Sequence, residues 1–453
     1  MTTSDLEKSP DSRRKEIRRV VASSYLGNLI EIYDFVLYGS AAALVLGPLF
    51  FGNLSPAMAT VASFGTLATG FIARPVGGIL FGYLGDRVGR KPVLIATLTL
   101  MGLASGCIGL LPTQAQIGVA APIVLVVLRL LQGIAAGGEW GGSVLMIAEH
   151  SDRRRRGLLS AVGQAGMPSG SIVASLAMVA VTQLPKDQLL SWGWRIPFLA
   201  SFLLLVISLY VRRKVAESPL FVESGPARDR RAALVTLVTT QRGALFRGFL
   251  ISIPIPLVGT LCGSFAISYA VQAGHSQSAV LLAFGVGLAV SIALMPLYGW
   301  LSDRLGRKPV YVAAALAFAV AVYPFFWALS TRSVVLLYLA FIVVLAVIAV
   351  AMQGALAAFL SELFPLRTRS TGVSVAYQAG GLIAGLAPVA AASLIAAGSG
   401  RTYVALLGVV FAVIAAYAAW RTPEPRGADL AAQQSKTFSR AGEYAGAPAT
   451  EER

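Results

Sequence analysis

Two acids and two arginines stand inside long apolar stretches of this sequence, where an ionised side chain is costly unless it serves a function or has a partner. They are Glu31, Asp34, Arg74 and Arg129. Carboxylates at such depth can carry a proton, and guanidinium groups can hold a carboxylate ligand in bidentate fashion. The spacing predicts a resting quartet of ion pairs; protonating one acid leaves a net positive site, so that a proton and an anion travel together. Asn28, Glu31, Asp34 and Tyr38 recur at intervals of three, three and four residues, which places them on one face of a helix. The bland alternative is that the quartet only pins its helices together. The chain has 2 histidines, His150 and His275, both near the ends of apolar runs, so the carboxylates are the expected proton carriers. Glu139 follows Arg129 on the same run and reads either as a second proton station or as a gate partner of loop arginines.

The elements that must position these residues are membrane helices. Hydrophobic residues make up 56% of the chain and charged ones 13%, about half the charged share of a soluble domain. About twelve apolar runs are long enough to span a bilayer. The breaks place helices near 20–50, 57–84, 92–112, 119–149, 157–182 and 194–212, then near 247–273, 277–301, 309–330, 333–362, 371–397 and 402–420. This gives a polar tail over 1–19, one six-helix bundle over 20–212, a linker over 213–246, a second bundle over 247–420 and a tail over 421–453. At ~1.5 Å per residue, Glu31, Asp34, Arg74 and Arg129 all fall near the middle of a ~30 Å hydrocarbon core.

In the second bundle no charged residue reaches that depth. Its candidate substrate contacts are therefore neutral: Tyr269, Gln353, Tyr377 and Gln378, with Gln164 as the first-half counterpart of Gln378. For each of them an interhelical hydrogen bond is the alternative. The net charge of +16 is no nucleic-acid footprint: with both termini in the cytoplasm, about 31 of the 37 Lys and Arg fall on the cytoplasmic side, as the positive-inside rule requires. Cys107 and Cys262 lie in apolar runs and imply neither disulfide nor metal, and no cofactor is expected.

The sequence GYLGDRVGRKPV at Gly82–Val93 returns 217 residues later as GWLSDRLGRKPV at Gly299–Val310. Both copies lie between the second and third helix of their set, so the halves run the same way through the membrane, a parallel duplication. A weaker echo joins Glu149–Gly166 to Glu362–Gly380. Between such helices, the glycines permit a tight turn and Asp86 can accept from a helix amino end.

GDRVGRK at this place resembles the signature loop of the major facilitator superfamily. GNLIEIYDFVLYG at 27–39, RLLQGIAAGGEWGG at 129–142, GWRIPF at 193–198 and ESPLF at 217–221 resemble its metabolite:proton symporter family. The resemblance implies an all-α major facilitator fold of 12 transmembrane helices in two pseudo-symmetric six-helix halves. It also implies proton-coupled uptake of a small organic acid or zwitterion. Further, it implies a gating latch in which Gly82, Asp86, Arg87 and Arg90, repeated by Asp303, Arg304 and Arg307, act against the opposite half; Glu149 and Glu362 are placed with it. It associates Arg129 with proton coupling. Glu149, Arg156, Arg195 and Glu217 match family motifs at helix ends, where a clamp is the simpler role.

The expected function is symport of a small organic anion with protons across a bacterial inner membrane, by a chain acting as a monomer. The alternative is a zwitterion or osmolyte carrier. A membrane enzyme is disfavoured by the lack of GxxxxGKS/T, HExxH or a Cys/His cluster. Gly-x-x-x-Gly pairs at Gly78/Gly82, Gly133/Gly137, Gly166/Gly170 and Gly381/Gly385 predict close helix crossings.

Overall fold

A computed structural model of the chain describes residues 9–224, 232–396 and 400–430. Its long helices are α1 (Pro10–Phe50), α2 (Pro56–Val88), α3 (Arg90–Leu110), α4 (Ala120–His150), α5 (Arg156–Thr182) and α6 (Lys186–Arg213). The second six are α7 (Arg242–Gln272), α8 (Gln277–Leu305), α9 (Arg307–Ser330), α10 (Val334–Leu363), α11 (Arg369–Ala396) and α12 (Gly400–Trp420). Eleven are long and apolar enough to cross a membrane on their described residues, and α11 completes the two sets of six.

α1 starts ten residues before its apolar run. The Ser9 hydroxyl caps it by accepting from Ser12 N at 3.3 Å, and Pro10 occupies the first turn. Such a proline has no N–H left unsatisfied there. Hydropathy marks where a helix enters lipid; capping marks where it begins. α2 and α3 are separated only by Gly89, at φ +101°, and α8 and α9 by Gly306, at φ +114°, a region that side-chain-bearing residues avoid. Within the linker the described residues form short helices at Pro219–Ser224 and Ala232–Thr239. The tail beyond 430 lies outside the described residues.

Three of the four glycine pairs sit where backbones meet. A Cβ on Gly133 would overlap the carbonyl oxygen of Gly70, and one on Gly137 that of Arg74, so α4 lies directly on α2. Gly166 and Gly170 of α5 stand in the same way against the Tyr25 and Leu29 carbonyls of α1. A Cβ on Gly82 would come within 2.9 Å of the Thr371 Cα of α11, in the other half. The pair Gly381/Gly385 differs: its closest neighbours outside its own helix are at ordinary van der Waals distance, 3.7 Å from Gly385 to Phe71. Gly133→Val is expected to force α4 off α2 at a cost of about 3 kcal/mol or more. The check is the melting temperature of the purified protein, with Gly381→Ala as a near-silent comparison.

Candidate functional site

The α2–α4 crossing brings Arg74 and Arg129 to one cavity. It is lined by Glu31, Asp34 and Phe35 of α1, Gly70 and Arg74 of α2, Met101 of α3, and Arg129, Gln132, Gly133 and Ala136 of α4. All ten belong to the first half, and the space holds little more than a water molecule. Gly70 makes the room: a Cβ there would stand 2.9 Å from Arg129 Nη2.

The charged quartet meets here but does not form four ion pairs. Arg74 Nη2 reaches Glu31 Oε1 at 3.5 Å, and its guanidinium lies over the Phe35 and Phe71 rings, 5.3 and 5.2 Å from their centroids. Asp34 accepts instead from the Ser201 hydroxyl of α6 at 2.7 Å. Arg129 donates to Gln132 Oε1 at 2.8 Å and lies over the Tyr38 ring at 3.9 Å. Among the described residues no carboxylate comes within ion-pairing distance of Arg129, although it is only 3% exposed. Gln132, held by a hydrogen bond to Ser105, fixes the guanidinium in place. Glu31 Oε2, Asp34 Oδ2 and Arg129 Nε have no hydrogen-bond partner in the protein. A proton on either free carboxylate oxygen would displace no existing bond, and Arg129 keeps a donor for an incoming acceptor.

Glu139 lies one turn along α4 from Ala136, toward the basic end of the molecule. Its partner is an arginine of a helix and not one of the loop arginines. Glu139 is fully buried and paired with Arg212 of α6, at 2.8 Å to Nη2 and 3.1 Å to Nη1, and it accepts from the Thr97 hydroxyl at 2.7 Å. Arg212 also donates to Leu94 O at 2.8 Å and to Ser23 Oγ at 3.2 Å. Gly27 leaves room for this pair, since a Cβ would overlap Glu139 Oε1. An arginine on the last turn of helix six has no sequence mark that separates it from its neighbour Arg213, so its inward aim was not legible.

The neutral candidates lie around the cavity and do not line it. Asn28 donates to Gly163 O at 2.9 Å, and Tyr38 hydrogen-bonds Thr66 while its ring supports Arg129. Gln164 Oε1 accepts from Trp140 Nε1 at 2.8 Å, and Trp140 stacks on Tyr377 with centroids 3.5 Å apart and planes 6° from parallel. Gln378 donates to the Ala136 and Gly137 carbonyls at 3.2 Å each, and Gln353 to the Met167 sulfur at 2.9 Å. The Trp140–Tyr377 stack and the Gln378 and Gln353 hydrogen bonds cross between the halves, while the cavity itself is lined by the first half. Tyr269 packs against Phe265 and Phe326 inside the second half.

At the basic end the halves are joined by two copies of one arrangement. Asp86 accepts from Ser370 N and Thr371 N at 3.0 Å each and from the Thr371 hydroxyl at 2.7 Å, capping the start of α11. Asp303 accepts from Gly157 N and Leu158 N at 2.8 Å each, capping α5. Beside each cap a buried glutamate receives two arginines, one from each half. Glu149 takes Arg90 at 3.2 Å and Arg369 at 3.4 Å; Glu362 takes Arg307 at 3.2 Å and Arg156 at 2.6 Å. Glu217 then accepts from Arg90 N and Lys91 N, as Glu424 does from Arg307 N and Lys308 N.

Several details differ from the sequence expectation. Gly82 and Gly85 lie within α2 and serve close contact with α11, not the turn, which Gly89 makes. Arg304 stacks on Trp300 at 4.2 Å, and neither it nor Arg87 makes an ion pair among the described residues. Arg304 is exposed and Arg87 half-buried. Arg195 donates to the Gly109 and Leu111 carbonyls at 2.8 Å, a clamp at the far end of α3. Glu424, which ESPLF at Glu217 foreshadows as TPEPR, was missed because the tail reads as polar and patternless.

Residues 20–233 match the family model described as Sugar (and other) transporter, and residues 243–449 the one described as Major Facilitator Superfamily. The shikimate transporter of Escherichia coli is 36% identical over 388 residues, covering 83% of this chain and 88% of its own length. The glycine betaine/proline/ectoine/pipecolic acid transporter OusA of Dickeya dadantii is 32% identical over 412 residues, covering 88% and 81%. Among solved structures, a double-tryptophan mutant of XylE superposes with a TM-score of 0.78 at 20% identity, over 93% of this chain and 98% of that one. The proton:xylose symporter XylE bound to 6-bromo-6-deoxy-D-glucose gives 0.75, also at 20% identity, over 94% and 99%. With family models matched along both halves and curated relatives above 30% identity across most of its length, this chain belongs to the major facilitator superfamily of membrane transporters.

Proposed function

We propose that the protein carries a small organic anion into the cell together with a proton. The observation that carries this reading is Arg129: a buried cation held in place by Gln132 and Tyr38, facing a cavity, with no carboxylate paired to it. A buried charge without an ion-pair partner is expensive, and an anionic ligand lowers the cost. Glu31, paired with Arg74, and Asp34, on Ser201, supply the proton sites. Protonating Glu31 frees Arg74, and two guanidinium groups then face one small cavity, an arrangement suited to a carboxylate. Release at the opposite face reverses the order: the anion leaves, Arg74 recovers Glu31, and the proton departs. The shikimate transporter among the relatives supports this substrate class.

The positive-inside bias supports a bacterial inner membrane with the basic end in the cytoplasm, and the closed set of intramolecular contacts suits a monomer. The zwitterion reading has its own support in the betaine and proline carriers among the relatives. Proteoliposomes with an imposed inward proton gradient decide between them. Uphill accumulation of a carboxylate, abolished by Glu31→Gln, is the expected result. Accumulation of betaine alone moves the assignment to osmolytes, and accumulation that survives both Glu31→Gln and Asp34→Asn overturns the coupling scheme.

A further inference from the structure

The seam at the basic end is also crossed by a segment of the chain itself, residues 424–430. It starts on the second half, where Glu424 caps α9 through Arg307 N at 2.8 Å and Lys308 N at 3.0 Å. It then passes over the seam to the first half. Asp429 pairs with Arg153, and Ala428 O accepts from Arg156 Nη1 at 3.5 Å. Leu430 O returns to the second half by accepting from Arg369 Nη2 at 3.1 Å. Its side chain, 3% exposed, is buried among Ala148 of α4, Leu220 of the linker and Leu366 before α11, which come from both sides of the seam.

Arg156 and Arg369 are the two arginines that reach from one half to the buried glutamate of the other. Both donate to the same short segment. The apolar niche of Leu430 and this pair of donors exist together only while the halves are in contact at this end. Binding that depends on one of two conformations shifts the equilibrium toward it by its differential affinity.

We infer that residues 424–430 are a strap that seats across the closed seam and holds the basic end shut, setting how often it opens during transport. Asp86 and Asp303 close the gate from within the helices; the strap adds a second hold, made by a segment that can leave without unfolding either half.

The test is a distance measurement on the full chain. Val88 and Leu305 are equivalent positions at the ends of α2 and α8, 47% and 61% exposed. Cysteines placed there carry spin labels, with Cys107→Ser and Cys262→Ala removing the native thiols. Asp86→Asn calibrates the distance of the open seam. Leu430→Ala combined with Asp429→Ala is expected to raise the open fraction several-fold, with Leu430→Met restoring the closed distribution. Arg153→Asp and Asp429→Arg should each open the seam and together close it again, a readout that poor folding of the Leu430 variant does not affect. A distance distribution unmoved by these substitutions, in a chain whose seam does open with Asp86→Asn, overturns the strap.

Discussion

Arg129→Gln is expected to abolish anion binding while leaving the melting temperature unchanged or higher. The reason lies in what surrounds the guanidinium. Its contacts are Gln132 and the Tyr38 ring, and no carboxylate is within ion-pairing distance of it among the described residues, so the amide relieves a desolvation cost without breaking an ion pair. A carboxylate ligand, by contrast, loses the partner of a buried charge-assisted pair, worth about 2–5 kcal/mol, and affinity should fall by at least about 30-fold. Ligand-induced stabilisation across a panel of carboxylates reads both effects in one experiment. Arg212→Gln should behave in the opposite way. It leaves Glu139 buried without its cation, a loss of about 3–5 kcal/mol in stability. If Arg129→Gln also destabilised the protein by that amount, Arg129 would be a structural pin.

The second large effect is expected at Asp86. Its carboxylate holds two backbone N–H groups and a hydroxyl of the opposite half, and hydrogen bonds to a charged group are worth about 1.5–3 kcal/mol each. An amide oxygen retains part of this. A net loss of about 2 kcal/mol would change the ratio of closed to open seam by a factor of about 30. Asp303, with two such bonds at 2.8 Å, should give a similar shift, and the two should add, since they act at separate helix starts. The label pair on α2 and α8 measures the ratio directly. Substrate specificity should not change in either variant, because neither residue lines the cavity. A changed substrate order in Asp86→Asn would show that the seam and the site are one unit.

The sequence by itself determined the membrane class, the twelve helices, their parallel duplication and the place of the four charged residues along their helices. These follow from local patterns: hydropathy over some twenty residues, a repeated twelve-residue segment, and a fixed rise per residue. The capping role of Asp86 was legible in its loop position and its repeat at Asp303, and the partner in the opposite half was implied by the family resemblance. Which groups pair was not legible. Arg74 with Glu31, Arg129 with no acid, and Glu139 with Arg212 depend on where α4 settles on α2 and where α6 settles on α1. Those positions depend in turn on Gly70, Gly133, Gly137 and Gly27, whose role is an absent side chain. The strap was invisible for a related reason: a short polar tail has no period to read, and its meaning lies in the Leu430 niche and the two arginines that only the joined halves create. Ion pairing inside a membrane protein is decided by tertiary contact, because a charge in low dielectric is governed by the few groups within reach of it, and the sequence does not record which those are.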